Sequence, residues 1–394
     1  MSVPNLELEA LARELEAALG PETLAKARYQ LRVRITRFFL NLIVPVLWAL
    51  LWLPTGWSVR LRDAFHANDS WWGTWLVLLV FVGAEALLHL PLAWYFDFRV
   101  ENRLGTNRQS LGGWLWDQVK QSAVTIPLQS LLFLGVYIVF RVWPERWFWG
   151  ISGLVVVFLI LMYLLQPLLL RLQYKAEPLD DPELDARLKA LFAKAGVPYA
   201  GVAVIKAGEK TSRGNAALIP KGAGTQVVLF DTLMEAVDAE GVEVVVAHEL
   251  GHKVHRDMAR LMALLGVALI LALALAYGVL RSVGTWDGLQ GPGDVATYPL
   301  LALILAWLSA GLQVLLNIYS RRIERAADQF ALDITGRPEV FERVMLVLAE
   351  QNKALPLPPA WVEFFFYNHP SLARRVLAAR QWARSAHRAE RAAR

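Results

Sequence analysis

Val244–Leu280 reads VVVAHELGHKVHRDMARLMALLGVALILALALAYGVL, and two patterns meet in it. In the first half His248 and His252 stand four apart around Glu249, a spacing that puts both imidazoles on one face of a helix. In the second half Leu261–Leu280 runs without a charge for about the ~20 residues a helix needs to cross the hydrocarbon core. Nine residues, or ~14 Å of helix, separate His252 from that run. A helix carrying metal-ligating residues therefore leads almost directly into a membrane.

Outward from this stretch, five further apolar spans are expected: Phe38–Pro54, Trp71–Phe96, Ser122–Val142, Trp147–Leu170 and Val295–Tyr319. With Leu261–Leu280 they make about six transmembrane helices, and many of the 16 tryptophans stand at their ends, as an aromatic belt does. Residues 5–37 are charged and periodic through Leu6, Leu8, Leu11, Leu15 and Leu19, so amphipathic helix broken near Gly20-Pro21 is expected there rather than a signal peptide. Five segments follow: amphipathic N-terminal helices 1–37, a four-helix membrane region 38–170, a first polar half 171–260, two membrane helices 261–319, and a second polar half with a basic tail 320–394. The first polar half opens with helix Pro182–Ala195, closed by Gly196. It continues through β-like runs Gly201–Ile205, Asn215–Ile219 and Gln226–Phe230 to the helix carrying HELGH. The fold class read from this is an α-helical polytopic membrane protein with a small α+β domain that carries the HELGH helix.

Parity ties the halves together. Two spans return the chain to the face it left, so 171–260 and 320–394 can meet, and six spans bring the N-terminus to the same side. Lys26, Arg28, Arg32, Arg34 and Arg37 precede the first span and arginines close the chain, which by the positive-inside rule puts the catalytic face and both termini in the cytoplasm. The net charge of +5 is carried beside apolar segments, so it marks orientation in a lipid bilayer and no nucleic-acid partner is expected.

The chain has no cysteine, which excludes disulfides, thiolate metal sites and a cysteine nucleophile. A metal must then sit on His, Asp or Glu. A catalytic Zn2+ takes three protein ligands and keeps an open position, which Glu249 can serve as the base for a zinc-activated water. After the sixth span, Glu324 and Asp328 are four apart with Ala326 and Ala327 between them, small enough for close approach to the HELGH helix. Glu324 is assigned as third ligand and Asp328 as the acceptor that orients a ligand imidazole. Spacing alone does not choose among Glu324, Asp328, Asp333, Glu339 and Glu342, and an ordinary interfacial pair Arg321–Glu324 would use the same letters. His369, in the turn-like Tyr367-Asn368-His369-Pro370, can steady the oxyanion of a tetrahedral intermediate. His255 and Asp257 follow HELGH too closely to share its metal and read as interfacial polar residues; His66 and His387 read as solvated. Within the spans, Glu85 and His89 read as a pair facing a wet chamber.

At this point the sequence resembles the type I CAAX prenyl protease family of membrane gluzincins. The resemblance is carried in order by Glu101–Leu111 (ENRLGTNRQSL), Ser212–Ala216 (SRGNA), Val228–Leu233 (VLFDTL), HELGH, Ser320–Glu324 with Ala327-Asp328, and His369-Pro370. It implies zinc on His248, His252 and Glu324, Glu249 as general base and Asp328 behind the ligands. It also implies that Asn215 lies on an edge strand pairing with substrate backbone, the Ala216 N–H beside it, and that His369 and Arg375 face the active site. Family members can have seven spans around a large intramembrane chamber, and this chain reads as having six.

The expected function is that of a zinc metalloendopeptidase acting on membrane-associated or flexible peptides or proteins, prenylated or not. Processing of prenylated CAAX peptides competes with broader membrane-protein quality control. The Ala/Arg/Leu-rich composition points to a bacterial cytoplasmic membrane and to the broader range. A transporter or scaffold with a dead protease domain would lack a ligand or the base, and all four residues are present.

Overall fold

The computed structural model describes residues 3–283 and 288–393. Residues 1–2 of the expected N-terminal segment and Arg394 of the basic tail lie outside the described residues.

The membrane half is built from α1 (Val3–Trp52), the short α2 (Trp57–Ala64), α3 (Trp71–Ala93), a π-turn at Trp94–Arg99, α4 (Val100–Leu104), α5 (Leu111–Val142) and α6 (Trp147–Gln173). The polar half follows with β1 (Ala176–Pro178), α7 (Pro182–Lys194), β2 (Tyr199–Ile205), β3 (Ala216–Lys221), β4 (Gly224–Phe230), α8 (Asp231–Ala236) and α9 (Ala239–Val254). Then come α10 (Asp257–Val283), α11 (Tyr298–Thr335), α12 (Pro338–Gln351), α13 (Ala360–Phe366) and α14 (Leu372–Ala393). Six helices among the described residues are long and apolar enough to span a bilayer: Leu6–Trp52, Trp71–Leu104, Leu111–Val142, Trp147–Leu165, Asp257–Val283 and Val295–Thr335. Leu87, Leu164, Leu271 and Leu315 on these helices are exposed, the side a bilayer would cover. Their inner faces close around Phe81, Tyr137, Ile151, Leu280 and Tyr298.

Helix starts and stops obey local chemistry. The Asp181 side chain accepts from Leu184 N ahead of Pro182, and Gly196 takes the left-handed conformation after α7. Asp238 caps α9 by accepting from Gly241 N. The break expected near Gly20 is a kink inside α1, where Gly20 has φ 74 and ψ 165.

The segment before that kink packs against other helices of the chain. Leu8, Leu11 and Leu15 are buried with Phe341 and Val344 of α12 and Ala373 and Val376 of α14. Arg380 of α14 binds Glu14 at 2.7 Å and Glu342 at 2.5 Å. The N-terminal helix thus packs into the polar half.

The sheet has the order β1-β2-β4-β3, with β2 and β4 parallel and the β3–β4 hairpin antiparallel. Its two-residue turn begins at Gly222, whose φ of 57 suits such a hairpin. That leaves β3 at the edge. Phe230 N donates to Asn215 O, so alternation along the ladder turns the Ala216 N–H away from β4 and toward the open edge. Val227 and Leu229 of the sheet, with Leu188 of α7, pack against Val246, Ala247 and Leu250 of α9.

Candidate metal centre and substrate edge

With its apolar face on the sheet and α7, α9 presents His248 and His252 to α11. Helix α11 carries the last span and the following polar turns as one rod of 38 residues, ~57 Å long. Close approach occurs at Gly251, where a Cβ would lie 3.0 Å from Ala327 Cα and 3.2 Å from Phe330 Cβ. That contact brings Glu324 against the imidazoles.

The distances converge on one point. His248 Nε2 and His252 Nε2 are 3.2 Å apart. Glu324 Oε2 lies 3.2 Å from His248 Nε2, and Oε1 lies 3.5 Å from His252 Nε2. Zinc ligands ~2.1 Å from a tetrahedral centre would stand ~3.4 Å from one another, close to each of these distances, the two to Glu324 being made by different oxygens of its carboxylate. Glu324 Oε2 is buried and, despite its proximity to His248, makes no aligned hydrogen bond. A buried carboxylate oxygen left without a hydrogen bond beside an imidazole nitrogen is costly unless a cation joins them. His248, His252 and Glu324 therefore fit a zinc ion.

Carboxylates stand behind both imidazoles. Asp257, itself buried, accepts from His252 Nδ1 at 3.0 Å. Asp328 Oδ1 lies 2.9 Å from His248 Nδ1, close but poorly aligned, and Asp328 is gripped by Arg375 through Nε at 2.8 Å and Nη2 at 2.5 Å. A proton held on each Nδ1 leaves both Nε2 lone pairs for a metal. Burial opposes charge on His248, but Asp328 and Glu324 overcome it and raise its pKa to about 9, so the centre attracts positive charge. Burial also raises the carboxyl pKa of Glu249, against the pull of both imidazoles. That shift moves a carboxylate toward the range useful to a general base.

Among the expected site residues, His248, Glu249, Asn215, Ala216, His369 and Arg375 line one cavity of about 740 Å3. His369 Nε2 is 3.1 Å from Glu324 Oε1, which places it at the centre. Arg375 is committed to Asp328 through Nε and Nη2. The Ala216 N–H, at the open edge, meets the side-chain Oδ1 of Asn215 at 2.9 Å.

Two sequence readings are corrected. Asp257 is not an interfacial polar residue but the partner of His252. Its signal, a carboxylate five residues after a ligand, is too common to stand out. Glu85 does not use its carboxylate on His89: it takes the Tyr298 hydroxyl at 3.1 Å, and His89 Nδ1 meets the Glu85 backbone oxygen. His66 and His387 are exposed, as expected.

Comparison with known proteins agrees with this geometry. Residues 178–383 match the model of peptidase family M48, and residues 4–171 match that of the CAAX prenyl protease N-terminal region with five membrane helices. The Bacillus subtilis metalloprotease YhfN is 28% identical over 91% of this chain and 85% of its own length. CAAX prenyl protease 1 of Saccharomyces cerevisiae is 23% identical over 75% of this chain and 69% of its own. The crystal structure of S. mikatae Ste24p has the same fold, with a TM-score of 0.77, 21% identity and 95% of each chain covered. Six bilayer-length helices among the described residues, a converging His-His-Glu group and a family match across more than half its length make this chain a multi-pass membrane zinc metalloprotease that belongs to peptidase family M48.

Proposed function

We propose that His248, His252 and Glu324 hold the zinc, that Glu249 is the general base, and that peptides are cleaved while lying along the β3 edge. The observation that carries this is the converging group itself, with a buried Glu324 oxygen left without a hydrogen bond. When bound there, zinc would polarise the scissile carbonyl and acidify a water. Glu249 takes a proton from that water as its oxygen bonds to the carbonyl carbon. It then passes the proton to the amine nitrogen as the C–N bond breaks. His369 can turn Nε2–H from Glu324 toward the oxyanion, and the Ala216 N–H can leave Asn215 for a substrate carbonyl. Asp257 and Asp328 fix the imidazoles, and Arg375 fixes Asp328.

Recognition through an edge strand is largely main-chain and tolerant of side chains. We therefore favour a broad range of membrane-associated or flexible peptides. The name of the yeast relative, CAAX prenyl protease 1, supports prenylated substrates as a second reading. The basic residues before the first span support a catalytic face in the cytoplasm, and the Bacillus relative agrees with a bacterial membrane. Glu249→Gln should keep zinc and lose turnover by ~10²–10⁴-fold, measured by metal analysis and cleavage of one peptide with and without a farnesyl group. Wild-type turnover in that variant would remove Glu249 from the mechanism; equal rates on the two peptides would support the broad range.

A further inference from the structure

We infer that Arg34, on α1, is the carboxylate-recognition residue for the C-terminal side of the substrate; this rests on the proposal that peptides pair with the β3 edge. The cavity holding His248 and Glu249 is lined by Arg213, Gly214, Asn215 and Ala216, but by no residue of β3 beyond Ala216. It therefore extends from the catalytic glutamate toward the beginning of β3. A peptide paired antiparallel to β3 points its C-terminal residues in that direction.

Arg34 lines the same cavity with uncommitted donors. Its guanidinium stacks over the Tyr367 ring at 5.1 Å and makes one long bond, Nη1 to Phe366 O at 3.4 Å. Among the described residues no carboxylate lies within ion-pair distance of it. The other two arginines of the cavity are already paired with carboxylates, Arg213 with Glu101 at 2.7 Å and Arg375 with Asp328 at 2.5 Å, although Arg213 Nε has no partner. Arg37, one turn on, is taken by Asp97 at 2.5 Å. A guanidinium braced on an aromatic face, with most of its five N–H donors unused, is suited to a bidentate carboxylate. The reach is right as well. Tyr367 stands two residues from His369, so their Cα atoms are at most ~7 Å apart, and His369 touches Glu324. Arg34 is thus a few extended residues from the scissile bond. The carboxylate can be the substrate's free C-terminus or an Asp or Glu side chain near it.

The test uses the full chain, purified in lipid nanodiscs, and three peptides that differ only at the C-terminus: free acid, C-terminal amide, and amide with the last residue replaced by Glu. Wild type should favour at least one carboxylate-bearing peptide over the neutral amide by about tenfold or more in kcat/KM. Preference for the free acid alone identifies the C-terminus, and preference for the Glu-amide identifies a side chain. In Arg34→Gln the ratio should fall to about 1, and Arg34→Lys should restore part of it. Equal rates on all three peptides in wild type would overturn the inference. So would a ratio that survives Arg34→Gln, or a uniform loss that leaves the ratio unchanged, as a lipid-headgroup or packing role would give. Failure of the edge-strand reading would instead appear as wild-type kinetics in a folded Ala216→Pro, so the two are separable.

Discussion

Replacing Asp257 by alanine should weaken zinc binding without removing any ligand. Asp257 is 1% exposed and accepts from His252 Nδ1 at 3.0 Å; its other oxygen is 3.8 Å from the exposed Arg260. A hydrogen bond to a charged group contributes ~1.5–3 kcal/mol. At ~1.4 kcal/mol per decade that corresponds to roughly 10- to 140-fold in Kd. Partners of ligating imidazoles independently cost ~10–100-fold when removed, so the two routes agree. Asp257→Asn keeps an acceptor oxygen but no charge and should lose less, roughly five- to twelvefold, because a neutral bond still contributes ~0.5–1.5 kcal/mol and only the difference of ~1–1.5 kcal/mol is lost. Asp257 also begins α10, where its charge favours the helix by ~0.3–1 kcal/mol. Thermal unfolding of the metal-free protein separates that contribution. Zinc affinity is read by competition with a chromophoric chelator. An Asp257→Ala protein that binds zinc as tightly as wild type would refute the reasoning and return Asp257 to the interface.

Glu324→Ala should bind no zinc, by metal analysis, whereas Asp328→Ala should bind it ~10–100-fold more weakly; the reverse order would exchange their roles. Asp328→Ala should also lower the melting temperature more than Asp257→Ala, because it leaves the guanidinium of Arg375 buried and unpaired. Gly251→Val puts a Cβ 3.0 Å from Ala327 Cα and must part α9 from α11. It should cost ~1–3 kcal/mol of stability and zinc affinity with it, and wild-type values for both would refute the close approach. Ala216→Pro removes the edge N–H and should lower kcat/KM at unchanged zinc content; unchanged kinetics in a folded variant would place the substrate elsewhere.

Much was legible because it is written within single elements. The HELGH spacing, the apolar runs and the stop at Gly196 after Pro182 depend on neighbours three or four residues away, which helix geometry places without reference to the rest of the chain. The small residues Ala326 and Ala327 announced that two helices could approach closely, which they do at Ala327, whereas Ala326 is exposed. They did not say which carboxylate would arrive there. That choice among Glu324, Asp328, Asp333, Glu339 and Glu342 depends on how far α11 continues beyond its span and on the turn at which it crosses α9. The same holds for Asp257, Arg375 and Glu85. Each is an ordinary polar letter until a second element supplies His252, Asp328 or Tyr298 opposite it. The leucines of the N-terminal helix likewise fixed a face, whereas its burial on α12 and α14 was decided by the cavity of apolar side chains those helices left open. Periodicity within a segment determines which side of it is apolar or ligating, because 3.6 residues per turn is a local property. What that side meets is decided only by the crossing of segments far apart in the chain, where packing and the cost of buried unpaired charge select the partner.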